Sequence, residues 1–269
     1  MSEENEYILG TDREELFRLG IQHQVWASEA QHGWKLAGFT SGQTILDLGC
    51  GPGFCTKELA FVVGPTGKVI GVDRSKNYID YVDQLSRLHG LPIETIHTDF
   101  DNMDLAGLKL DGMYCRWALA WIPNPGEILS KIKERLKPGG RMVIHEYYDW
   151  STHQTSPAPS ELATAIQAAL KSFKDMDSEI DIGRHIPQIA REIGLKVVNL
   201  RLISKLGTPS NSIWHWPKSF YHTYFPRLVE TGYLSQKQCD QALMAMDELE
   251  KNQEATLCCP LMIEIVLEK

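Results

Sequence analysis

Along the chain, short runs of branched apolar residues bounded by glycine alternate with longer stretches whose apolar residues recur every three or four positions. Ile45, Leu46 and Leu48 lie in one such run and Val69 to Val72 in a second; further runs cover 93–98, 111–115, 141–147 and 196–203. Runs of this length predict strands, the early ones buried on both faces. Between them the helical spacing predicts helices at 53–63, at 76–89 and across PNPGEILSKIKERLKPGG. There Ile128, Leu129, Ile132 and Leu136 share a face until Pro138 and two glycines stop it. Leu59, Phe61 and Val62 are available to bury a face of the first of these helices, and Tyr78, Ile79, Val82 and Leu85 of the second. Strands alternating with helices make a mostly parallel sheet covered on both sides, so the chain reads as α/β.

The first strand and helix are joined by DLGCGPG, Asp47 to Gly53. A dinucleotide fingerprint needs G-x-G-x-x-G, and its third glycine falls here on Phe54 or Thr56 in the two frames. No Walker sequence is present either. Asp47, directly before the glycines, would repel a pyrophosphate but suits a ligand bearing an ammonium or sulfonium group, which points to S-adenosylmethionine. The second strand ends in Asp73, placed at the neighbouring strand end to accept from a ribose diol.

On these residues the chain resembles the class I S-adenosylmethionine-dependent methyltransferases of the small-molecule-modifying type. It carries the family's D-x-G-x-G-x-G at Asp47 to Gly53, its acidic strand end at Asp73, its adenine-side acid Asp99 in HTDFDNMD, and the late strand and turn in LKPGGRMVI. The resemblance implies that the turn, with Gly49, Cys50, Gly51 and Gly53, lies along the methionine and ribose of the cofactor. Asp73 would bind the ribose and Asp99 with Phe100 the adenine; Gln22, Trp26, Arg74 and Arg116 complete the cofactor-binding candidates. CRWALAWIPNP resembles the fourth family motif, but Trp121 stands where many relatives place a histidine, so that histidine's role does not carry over.

The implied fold is a doubly wound, seven-stranded, mostly parallel sheet with an antiparallel last strand. Two departures from a bare core stand out. Residues 12–38 form a helix before the first strand, with Leu16, Leu19, His23 and Trp26 on one face and Asp12 as its cap, giving an N-terminal helical cover at 1–40. After helices at 160–174 and 182–193 and a strand with Val198, Leu200 and Leu202 in alternation, the last strand is delayed until CCPLMIEIVLE. Two helices, 217–231 and 235–252, fill the gap, the first dense in aromatics and kinked or restarted at Pro226. The expected organisation is one domain over 1–269, with a core at 41–204 and 256–269 and a helical lid insertion at 205–255.

Composition narrows the partners. With a net charge of -8 and no Lys/Arg-rich run, no nucleic-acid partner is expected. No apolar stretch is long enough to span a membrane, and the acidic start is not a secretion signal. The six cysteines have no framework spacing and read as reduced thiols of a cytoplasmic protein. No metal site is expected: Cys50 with Cys55, or Asp149 with Asp175, lack convincing ligand spacing. Monomer and homodimer stay open.

Transfer of a methyl group to an N, O or C atom of an enclosed small molecule, leaving S-adenosylhomocysteine, would rest mainly on alignment and exclusion of water. Acceptor-side candidates are Tyr7, Trp121, Tyr147, His215, Tyr221 and Tyr224. If a base is used, His153 and His145 are the candidates, His145 having the alternative of a structural role within its strand. Glu146, alternating to the other side, is placed toward the bound sulfonium. A non-catalytic cofactor-binding module joined to partners through the helical insertion is the competing reading, followed by a protein or RNA methyltransferase.

Overall fold

The computed structural model describes residues 13–176 and 178–269; Tyr7 and Asp12 lie outside them. In chain order the elements are α1 (Arg13–Ala37), β1 (Thr44–Leu48), α2 (Phe54–Val63), β2 (Lys68–Asp73), α3 (Lys76–His89), β3 (Ile93–His97), β4 (Leu110–Arg116), α4 (Pro125–Arg135), β5 (Leu136–Asp149), β6 (Gln154–Ser156), α5 (Ser160–Lys174), α6 (Ile186–Glu192), β7 (Lys196–Ile203), β8 (Leu206–Gly207), α7 (Ser212–Glu230), α8 (Gln236–Lys251), β9 (Thr256–Cys258) and β10 (Leu261–Glu268). They fall into two compact units. One comprises Trp26–Tyr147, Asp181–Leu202 and Met262–Lys269; the other comprises the described residues up to Val25, Tyr148–Ile180 and Ile203–Leu261.

The first unit holds a seven-stranded sheet in the order β3-β2-β1-β4-β5-β10-β7, mostly parallel with an antiparallel last strand. Parallel registers pair Leu48 with Val72 on one side and with Cys115 on the other, and Arg116 with His145. The carboxyl ends of β2, β1, β4 and β5 therefore lie side by side. Ile45, Leu46, Leu48, Val69 and Val72 are fully enclosed. Burying each such side chain stabilises the fold by ~1.5–3 kcal/mol, which is why these runs read as strands.

Three expectations change within this unit. Phe61 is 66% exposed, and α2 buries Cys55, Leu59, Ala60 and Val63 instead. Strand β5 begins at Leu136 rather than at 141, with a register shift against β4 between Leu110 and Gly112. On β7 the alternation is real but inverted: Leu200 and Leu202 are 54% exposed, while Asn199 and Arg201 turn inward to Glu264 on β10.

The second unit packs α5, α7 and α8 together, beside a three-stranded sheet in the order β6-β9-β8. That small antiparallel sheet is absent from the sequence reading, because two- and three-residue strands carry no periodicity. Helix α7 starts earlier than predicted, since the Asn211 side chain accepts from the Trp214 N–H and caps it. It also runs unbroken through Pro217 and Pro226. An interior proline costs ~3 kcal/mol; burial of Trp214, Tyr221, Tyr224, Phe225 and Leu228 on the same helix offsets that. The first turns of α1 join this unit through a buried Glu15–Arg18 ion pair, with the Arg18 guanidinium over the Phe220 ring.

Candidate functional site

The turn after β1 is pinned to β2 by its backbone. The N–H groups of Gly49 and Cys50 both donate to the Val72 carbonyl, at 2.9 and 3.0 Å, and the Gly51 N–H donates to Asp73 Oδ2 at 2.8 Å. Gly49 has φ +73, and a Cβ there would lie 2.4 Å from that of Ala118, so β4's exit loop closes directly over it. Gly51, at φ +52, differs: among the described residues a Cβ there meets nothing within 4 Å. Gly53 precedes α2 and faces Val82, and the ring of Phe100 approaches the turn at Gly49. Cys50 is buried against Gly71, and burial raises its thiol well above the ordinary value.

Three acids and one guanidinium occupy adjacent strand ends. Asp47 on β1 is buried, accepts from Thr56 Oγ1 at 2.6 Å, and is pushed by burial up to about 6. Asp73 on β2 is raised by burial as well, although the Ser75 and Gly51 N–H groups bond its two oxygens. Glu146 on β5 is wholly enclosed; its Oε1 accepts from the Leu119 N–H at 2.8 Å and also takes the Ala118 N–H. Burial nevertheless pushes it up to about 8. Arg116 on β4 is the cation among them, its charge bearing on Asp47 and its guanidinium 5.0 Å from the centre of the Trp117 ring.

Trp117 holds the left-handed region at φ 56, a strained conformation for a bulky residue. Tyr147 stacks on it at 5.4 Å and Trp26 meets it edge-on at 5.7 Å; its carbonyl receives the Trp121 indole N–H at 3.0 Å. Asp99, exposed, precedes the short helical turn at Phe100–Asn102. The Arg74 carbonyl meets His97 Nε2 at 3.0 Å. Of the candidates, Trp26, Asp47, the glycines, Cys50, Asp73, Arg74, Asp99, Phe100, Arg116, Trp121 and Tyr147 thus belong to the sheet unit, those on strand ends and their loops around the turn.

His145 also lies on β5, in a different setting. Its Nε2 is 3.1 Å from Glu264 Oε2, its ring packs edge-on to Tyr114, and burial lowers its proton affinity against the pull of Glu264. Burial alone would raise Glu264, but hydrogen bonds from His145, Arg201 and His32 hold it well below the usual carboxylate range. Sequence reasoning missed Glu264; it sits in an apolar strand with nothing nearby in sequence to mark it. It also left Trp117 without a role, since backbone strain has no signature in composition.

The remaining candidates lie in the helical unit. His153 Nδ1 is 2.7 Å from the Cys258 carbonyl and so carries the hydrogen there, which leaves Nε2 to accept from the Tyr221 hydroxyl. Burial lowers His153 to about 4, so the ring is neutral. Tyr221 stacks on Phe225, and Tyr224 shares a hydrogen bond with Ser172 at 2.8 Å. Gln22 accepts from Arg18 and from the Trp216 indole, both at 3.0 Å. His215 is exposed beside Glu250.

The arrangement can hold a cationic, ribose-bearing cofactor: excess carboxyl groups at strand ends and, among the described residues, a glycine with nothing against its open side and a buried Glu146 oxygen with no hydrogen-bond partner. A family model described as a methyltransferase domain matches residues 39–196. The chain belongs to the class I S-adenosylmethionine-dependent methyltransferases. Among relatives of this chain, the demethylmenaquinone methyltransferase of Lactococcus lactis is 33% identical over 51% of this chain and 52% of its own. The sterol 24-C-methyltransferase of Eremothecium gossypii is 31% identical over 73% of this chain and 51% of its own. The chain thus spans about half the length of these curated relatives. Its fold is shared by a mycolic acid cyclopropane synthase crystallised with S-adenosylhomocysteine, at TM-score 0.61 and 13% identity over 97% of this chain and 92% of that one. A Haemonchus contortus phosphoethanolamine N-methyltransferase matches at TM-score 0.57 and 16% identity, over 90% of this chain and 52% of that one.

Proposed function

We propose that the protein methylates an N, O or C atom of a small molecule, leaving S-adenosylhomocysteine. When bound, S-adenosylmethionine supplies a methyl group on a cationic sulfur. The chain's part is to hold that cation and align the acceptor. The excess of buried carboxyl groups over cations at the carboxyl ends of β2, β1, β4 and β5 carries this reading, because it can supply a counter-charge once a cation binds. Asp73 is taken as the ribose acceptor, Asp99 with Phe100 as the adenine side, and the open face of Gly51 as the floor of the cradle.

The relatives' names support a small acceptor: a demethylated menaquinone in one, a sterol in another. Trp121 and Tyr147 are proposed on the acceptor side; Tyr221 and Tyr224, in the helical unit, are kept as acceptor candidates. Alignment and exclusion of water supply most of the rate. If the acceptor starts protonated, the proton route runs through the Tyr221 hydroxyl to neutral His153 rather than to His145, which Glu264 engages. The test is binding of S-adenosylmethionine to the wild-type chain and to Asp73→Asn, then transfer of its labelled methyl group. Saturable binding that Asp73→Asn weakens tenfold or more supports the reading; unaltered binding removes Asp73 from it.

A further inference from the structure

Each buried acid at the strand ends but one has its charge met. Asp47 has the Thr56 hydroxyl and the Arg116 guanidinium, and Asp73 has two backbone N–H groups on opposite oxygens. Glu146 has N–H donors on Oε1 only. Among the described residues its buried Oε2 has no hydrogen-bond partner and no cation bears on the carboxyl. The titratable group facing it from β4 is Cys115, whose thiol is 4.0 Å from Oε1; the loop after β4 offers the Ala118 and Leu119 N–H groups, and Asp47 on β1 reaches the same thiol. On its own strand, His145 projects to the other face, where Glu264 holds it. The loop that Glu146 bonds is the one whose Ala118 closes over Gly49 of the cofactor turn.

We propose that Glu146 is a neutral carboxylic acid in the ligand-free protein and releases its proton to solvent when the sulfonium cation binds, so that the site distinguishes the charged cofactor from its neutral product. This rests on the cofactor reading above. S-adenosylmethionine and S-adenosylhomocysteine share every polar group; they differ in a methyl and the charge on sulfur. Only the first gives an ionised Glu146 a counter-charge. After transfer the carboxylate is stranded beside a neutral sulfur, takes back a proton, and the product's hold weakens. Asp47 and Asp73 are also raised by burial, and the Glu146→Gln variant separates release by Glu146 from release by either of them.

The experiment is titration calorimetry of both ligands near neutral pH in buffers of different ionisation enthalpy, on wild type and on Glu146→Gln. The expected result is release approaching one proton with S-adenosylmethionine and none with S-adenosylhomocysteine. Glu146→Gln should abolish the release and cut the preference for S-adenosylmethionine about tenfold. Equal release with both ligands, or release retained in Glu146→Gln, overturns the proposal. Should that variant not fold, the infrared difference spectrum of the wild type decides. Loss of a protonated-carboxyl band with S-adenosylmethionine alone upholds the proposal, and an unchanged band refutes it. Failure of S-adenosylmethionine to bind at all would instead remove the cofactor reading itself.

Discussion

Gly49 and Gly51 stand two residues apart in one turn, both with positive φ, and alanine at each should fail in a different way. At Gly51 the new methyl group meets none of the described residues, so the cost to the fold among them is the left-handed backbone at φ +52, about 1–2 kcal/mol. At ~2–4 °C per kcal/mol for a chain of this size, the melting temperature falls by about 2–8 °C. The same methyl occupies the cradle, so S-adenosylmethionine should bind at least about tenfold more weakly, a loss of ~1.4 kcal/mol or more. At Gly49 the backbone cost recurs, and the methyl lies 2.4 Å from the Cβ of Ala118. Overpacking adds ~1–3 kcal/mol, and stability falls before binding is reached. Calorimetric unfolding of both variants with and without S-adenosylmethionine separates the two. If Gly51→Ala keeps wild-type affinity, its open side does not face the cofactor and the cradle is wrongly placed.

Other expectations follow from the same geometry. A raised acid binds more protons folded than unfolded, so Glu146, pushed from 4.5 to about 8, makes the ligand-free protein less stable as pH rises through that window. His153, lowered from 6.5 to about 4, acts oppositely, adding stability between those values as pH rises; Asp47, raised to about 6, partly cancels it. Scanning calorimetry should therefore show the melting temperature falling from about pH 6.5 to 8, and Glu146→Gln should flatten that slope. Tyr224→Phe removes a buried hydrogen bond to Ser172 and should cost about 1 kcal/mol in denaturant unfolding, with cofactor affinity unchanged. His153→Ala leaves the buried Tyr221 hydroxyl without its partner, costing about 1–3 kcal/mol. If the proton route is used, kcat falls well beyond that loss while cofactor affinity holds.

The sheet and the turn were legible in the sequence because their physics is local. Buried parallel strands must be apolar throughout, and a loop that lets Ala118 close over Gly49 must carry glycine there. What escaped depends on partners distant in sequence. Phe61 has the right residue type for a core but falls on the outer side of α2, and the apolar residues of β7 face outward because Glu264 draws Asn199 and Arg201 inward. Pro226 read as a kink or a restart, yet α7, packed with α5 and α8, does not restart there. In the candidate site, the acids that follow the family's spacing, Asp47 and Asp73, stand at the ends of β1 and β2, where a local motif can put them. The strain at Trp117 and the one-sided bonding of Glu146 are consequences of tertiary placement that no short motif encodes.

The most direct measurement is incubation of the full chain with methyl-labelled S-adenosylmethionine and a panel of small acceptors, including quinols, sterols, phenols and amines, following the label and S-adenosylhomocysteine together. Label entering a small molecule in step with S-adenosylhomocysteine release is the expected result. Saturable cofactor binding with no label in any small molecule, or label found in protein or RNA instead, would contradict it.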